Sequence, residues 1–194
     1  MADNEKPKLS PTGKILIGAA TLMLGLIVGL AISIGFFFFE LRSPTYQKTV
    51  AASIADFADP LPAGFKIESG TSVETLKAVS FRNQPEGMWI VFNVREVKDD
   101  NEKNESEESI KEEHTHEKYE ENSPQSMQIA SHTMEYQTRV ITLGENKMTE
   151  LDGVIKDVPN KFISVTAGCK SPFNFGLFKQ FTDSIKSFNT DRIK

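Results

Sequence analysis

The chain has 194 residues and a formal net charge of −5, and that charge is unevenly placed. Positions 98–125 carry eleven acids against four bases, a local balance of −7, which leaves the remainder at +2. A nearly neutral remainder with no basic stripe speaks against a nucleic-acid partner, and a single cysteine, Cys169, rules out an internally stapled disulfide scaffold.

Positions 15–39 read ILIGAATLMLGLIVGLAISIGFFFF, without a charge or a proline. As a helix this stretch would be roughly 37 Å long at about 1.5 Å per residue, enough to cross a hydrocarbon core of about 30 Å. The expected order is a cytoplasmic tail at 1–14, a transmembrane signal anchor at 15–39 and one extracytoplasmic domain at 43–194. Lys6, Lys8 and Lys14 precede the apolar run, and Arg42 and Lys48 follow it. That bias places the N-terminus inside and the domain outside, with a bacterial inner membrane as the expected location. The run is too long for a cleaved signal peptide. Thr21, Gly25, Gly29 and Ser33 recur every fourth residue along it and would form a small-residue stripe suited to helix pairing.

In the domain, Ser43-Pro44 has the form of a helix start, with Ser as N-cap and Pro at the first helical position. Tyr46, Val50, Ile54 and Phe57 follow at helical spacing, up to Asp59-Pro60. Phe65–Glu68 and Thr75–Phe81 are strand candidates, and NQPEG at 83–87 is a turn. Met88–Val97 alternates most clearly: Met88, Ile90, Phe92 and Val94 on one face, Trp89, Val91, Asn93, Arg95 and Val97 on the other. The second face is only partly polar, so a cover, such as a helix, is expected over it. The acidic, apolar-poor segment 98–126 cannot bury enough surface to offset the entropy of ordering and is expected to be a disordered loop. Thr133–Leu143, Met148–Ile155 and Phe162–Thr166 are further strands. Ser171-Pro172 reads as a second helix start, followed by the stripe Phe175, Phe178, Phe181, Ile185 and Phe188.

The predicted fold class is therefore α+β: an N-terminal transmembrane helix, then one domain with a mostly antiparallel sheet of about six strands packed by an N-terminal and a C-terminal helix. LPAGFKIES, entered from a helix, and the closing FKQFTDSIKSF together resemble the PsbP/Mog1-like α/β/α sandwich. The same layout resembles membrane-anchored bacterial proteins with one small domain. The resemblance covers residues 43–189 and implies binding and assembly roles; it places no site residue on this chain.

Candidate chemistry is sparse. His114 and His116 flank Thr115 beside Glu112 and Glu113, a pattern that can hold Zn²⁺, Cu²⁺ or Ni²⁺. In a charged loop the simpler reading is a solvated charge run. His132 is the one histidine expected near ordered structure, and Ser131 beside it brings a hydrolase to mind, yet a triad is a spatial arrangement and no G-x-S-x-G elbow occurs. Cys169 reads as a small buried residue near a strand end. No cofactor motif is present, so none is expected. The function expected is a non-enzymatic, anchored domain that binds a protein partner or a second copy or supports an envelope assembly, with the lipid bilayer engaged through 15–39. The alternatives are a lipid or small-molecule module, with a ligand between the sheet and the Phe-rich helix, and a hydrolase using His132.

Overall fold

The structure is a computed structural model that describes residues 43–97, 120–121, 123–143 and 146–190. All of the described residues belong to one compact unit. In chain order its elements are α1 (Pro44–Ile54), β1 (Ala55–Phe57), β2 (Phe65–Val73), β3 (Leu76–Asn83), β4 (Met88–Glu96), β5 (Glu120–Glu121) and β6 (Gln125–Ile129). There follow β7 (His132–Leu143), β8 (Asn146–Ile155), β9 (Lys161–Lys170), α2 (Phe175–Thr182) and β10 (Ile185–Phe188).

The expected α+β class is corrected by this element list: among the described residues the domain is mostly β. An eight-stranded sheet runs β2-β3-β4-β9-β8-β7-β5, with β6 also on β7, and β1 pairs β10 in a separate two-stranded sheet. Every ladder is antiparallel. The two helices have 11 and 8 residues.

Both helices are shorter than their apolar spacing predicts, and for related reasons. Ser43 caps α1 by accepting from the Tyr46 N–H at 3.1 Å. The helix then ends at Ile54, because Ala55–Phe57 turns extended and pairs with β10. Ser171-Pro172 does not start α2; Asn174 caps it, its Oδ1 accepting from the Leu177 N–H at 3.0 Å. At the far end the hydroxyls of Thr182 and Ser184 donate to the carbonyls of Lys179 and Phe181. These side chains compete for the carbonyls that a further helical turn would use. Ile185 and Phe188, expected on the helix, lie buried on β10.

No helix among the described residues is long and apolar enough to cross a membrane. At about 1.5 Å per residue, α1 and α2 reach roughly 16 and 12 Å against a core of about 30 Å. The expectation of a single-pass transmembrane signal anchor is corrected to that extent. The segment 15–39 on which it rested, with Thr21, Gly25, Gly29 and Ser33, lies outside the described residues.

One apolar cluster fills the space between the sheet and the layer made by α1, α2 and the β1–β10 pair. The face of β4 bearing Met88, Ile90, Phe92 and Val94 is fully buried there. Phe181 of α2 anchors the cluster, with its ring 4.7 Å from Phe65, 4.8 Å from Phe81 and 6.1 Å from Phe57. Lys161, on the same side of β9 as Ile163, is buried with its Nζ donating to the Asn189 carbonyl. This amine ties the end of β10 to the sheet.

The turn into β2 explains its sequence. Gly64 has φ +86°, and a Cβ there would stand 2.6 Å from Asn83 Nδ2. Asn83 is buried, donates to the Ala63 carbonyl at 3.2 Å and accepts from the Glu86 N–H at 3.2 Å. One amide side chain thus joins the LPAGF turn to the NQPEG turn, and only glycine leaves room for it.

Candidate functional site

The face of the sheet turned away from the helices carries the distinctive chemistry. Ladder register fixes one row across it: Arg82 on β3 opposite Trp89 on β4, Trp89 opposite Gly168 on β9, Gly168 opposite Glu150 on β8, and Glu150 opposite Arg139 on β7. The neighbouring row holds Ser80, Val91, Thr166, Asp152 and Gln137. Both helices and the β1–β10 pair lie with the other face. Among the described residues, no helix or strand is layered over this one. A cover was expected over the Trp89 face of β4, and the helices lie on the opposite side.

Trp89 is held in place by a missing side chain. A Cβ on Gly168 would come within 2.6 Å of the indole Cε2 and Cζ2 atoms, so the ring lies against bare backbone. Beside it, Arg139 makes a forked contact: its Nε and Nη2 reach Glu150 Oε2 at 2.8 and 2.7 Å, and Nη2 reaches Asp152 Oδ2 at 3.2 Å. These three side chains are only 12%, 11% and 20% exposed. A forked, partly desolvated arginine is held far more firmly than a surface lysine pair. The face is not uniformly open. Phe162 and Glu150 are buried on it, whereas Arg82 and its partner Glu68, 3.3 Å away, are about half exposed.

His132 opens β7 after the two-residue turn Ala130-Ser131, whose φ values are +49° and +66°. Its Nδ1 stands 3.1 Å from Asp157 Oδ1, with the histidine side chain 22% and the aspartate 52% exposed. The other Asp157 oxygen accepts from the Thr133 N–H at 3.3 Å. The imidazole meets the Phe188 ring edge-on, 5.8 Å between centroids. The histidine therefore has an acid beside it. The adjacent Ser131 hydroxyl donates to the Ala130 carbonyl, and no hydroxyl or thiol bonds the imidazole among the described residues. An Asp–His pair without a nucleophile orients a ring and closes a turn; it does not assemble an acyl-transfer site.

Cys169 is buried at the end of β9. The Asn174 N–H points at its Sγ from 3.4 Å, and the Pro172 carbonyl lies 3.9 Å away. Burial raises the thiol above its ordinary pKa, and the Asn174 hydrogen bond offsets part of that rise. A protonated, enclosed thiol is a poor nucleophile. His114 and His116 lie outside the described residues. Among the described residues, no group of three His, Cys, Asp or Glu side chains is placed to hold a metal ion.

The Trp89–Gly168 seat was not singled out from sequence, because it depends on pairing residues 79 positions apart. The single tryptophan, on the partly polar side of the best strand, was the available signal. No protein-family model matches the chain, and no curated protein sequence matches it.

Proposed function

We propose that this domain is a non-enzymatic binding module that docks a protein partner on the sheet face that bears Trp89. The observation that supports the reading is the fixed seat of Trp89 on Gly168, one row position from the Arg139–Glu150–Asp152 network. Tryptophan and arginine supply much of the energy at protein interfaces, and most where the receptor surface is rigid before binding. Both residues are preorganised on strands, which position side chains more firmly than loops do. The chemistry expected of the partner is an apolar patch for the indole, rimmed by charges of both signs to meet Arg82, Glu68 and Asp152.

A cavity ligand draws less support. Phe57, Phe65, Phe81, Phe92, Phe181 and Phe188 occupy the space between sheet and helices, in ring contact at 4.7 to 6.4 Å. A hydrolase draws less as well, since His132 lacks a nucleophile partner among the described residues.

Photocrosslinking in the source cells tests the docking face. A crosslinker at Val91 should give a discrete protein adduct, and Trp89→Ala should reduce it at least tenfold while thermal stability falls little. A crosslinker at Lys186, on β10 across the domain, should give none. Equal adducts at both positions, or an adduct indifferent to Trp89→Ala, would contradict docking on this face.

A further inference from the structure

The sheet has two lateral edges, and the domain treats them differently. At the β2 edge a bulge between Ile67 and Ser69 interrupts the ladder. Gln47 of α1 donates to the Glu68 carbonyl at 3.3 Å, and α1 presses so closely that a Cβ on Gly70 would meet Val50 and Gln47 at 3.1 and 3.2 Å. Bulges, charges and covering elements are the usual means of blocking strand addition.

Among the described residues β6 itself lacks these devices; the charges on this edge lie beyond it, on β5 at Glu120 and Glu121. Gln125-Ser126-Met127-Gln128-Ile129 carries no charge and pairs with β7 alone among the described residues. The Ala130-Ser131 turn has φ positive at both central residues and joins Ile129 to His132, which are ladder partners. In such a two-residue hairpin the closing pair is hydrogen-bonded, and pairs alternate from there. Ile129, Met127 and Gln125 therefore direct their backbone groups at β7, while Ser126 and Gln128 direct theirs outward. Pro124, which has no N–H, ends the open edge on one side, and the turn ends it on the other.

We propose that this edge pairs with β6 of a second copy of the chain, antiparallel, about a two-fold axis at Met127. In that register Ser126 of each copy faces Gln128 of the other, and all four outward N–H groups and all four carbonyls find a partner. The open edge is only five residues long, so the incoming strand must also be short and must turn away at its end. A copy of β6, closed by its own Ala130-Ser131 turn, meets both conditions, and the absence of charge on it brings no like charges together. Met127 would meet its symmetry mate on the side where Tyr136 and the 42% exposed Phe175 stand, their rings 6.1 Å apart. Pairing would join two docking faces into one continuous sheet, yet the inference does not depend on the Trp89 reading.

The test uses the full chain. A non-hydrogen-bonded antiparallel pair brings Cα atoms to about 4.5 Å, within disulfide range. Met127→Cys under mild oxidation should give a disulfide-linked dimer with the 127–127 bond found by peptide mapping. Thr71→Cys, at the other edge, should give none. Gln128→Pro in the Met127→Cys background should cut the crosslink at least tenfold. Ser126→Lys, which keeps every backbone donor, should do the same through charge repulsion and serves if the proline variant fails to fold. A crosslink yield at position 127 no greater than at 71, or one that survives Ser126→Lys unchanged, would overturn the proposal. Trp89→Ala should leave the crosslink intact, which separates this test from that of the docking face.

Discussion

The β2 and β6 edges end the same sheet, and the difference between them shows how a mostly β domain keeps one interface closed while leaving another ready. At β2 the sequence spends a helix on the closure. α1 lies against Gly70, and its Gln47 occupies a backbone carbonyl that a foreign strand would otherwise use. At β6, among the described residues, a tight turn and one proline bound the open backbone, with the acidic β5 beside it on β7, so the edge is short and carries no cover. Closure at β2 is thus a tertiary property that requires the helix layer to be seated. Openness at β6 is local and needs only the β6–β7 hairpin.

The largest expected effect breaks the comparison at its base. Phe181→Ala removes the ring that touches Phe65 at the start of β2 and Phe81 on β3. A buried Phe→Ala change costs about 3–5 kcal/mol, so denaturant unfolding should shift by that amount. Near the midpoint, strand addition at β2 should then appear as aggregation. Gly64→Ala should come next. It forces a positive φ on an alanine and pushes a Cβ into Asn83, for a loss of about 2 kcal/mol in the same assay. The β2–β3 amides should lose hydrogen-exchange protection before those of β7–β8.

Gln47→Ala sharpens the contrast with least damage. It removes one partly exposed hydrogen bond, worth about 0.5–1 kcal/mol. Its distinctive result should be a Thr71→Cys crosslink that the parent chain does not form. A variant as silent as the parent at position 71 would mean that the bulge alone blocks the edge.

The smallest effect concerns Cys169, remote from the edge contacts. Its thiol is held above its ordinary pKa by burial, so below that ordinary value it affects stability equally at every pH. As pH rises past it the unfolded chain releases the proton first, and stability declines until the folded thiol also titrates. Disulfide-exchange reagents at neutral pH should react with Cys169 at the rate of unfolding or opening, many times slower than with the denatured chain. Rapid labelling of the native protein would contradict the enclosed position.

What the sequence made legible follows from how local each signal is. Ser43-Pro44 capped a helix because the cap oxygen and the Tyr46 N–H that donates to it lie three residues apart. NQPEG turned because Asn83 and Gly87 act within the turn itself. The alternation of Met88 to Val94 marked a strand with one buried face because its period is incompatible with a helix. The α+β expectation failed where two periods coincide. Ile185 and Phe188 are three residues apart, a spacing that serves a helical stripe and the two ends of a four-residue strand alike. Only the pairing of β1 with β10, 130 residues apart, settles which applies. β6 was missed because its first two residues, Gln125 and Ser126, fall inside the segment 98–126 read as a disordered loop, and the three that remain are too few to show alternation. The Trp89 seat and the His132–Asp157 pair are cross-strand or loop-to-strand meetings that no window of sequence contains.

The most direct measurement is hydrogen exchange at the Ser126 and Gln128 amides of the full chain across a hundredfold dilution series. If β6 pairs with a second copy, both amides are protected at high concentration and lose at least tenfold of that protection on dilution, while Val79 and Phe92 within the sheet stay unchanged. Exchange at Ser126 and Gln128 that is fast and identical at every concentration would contradict the account of an edge left open for a partner strand.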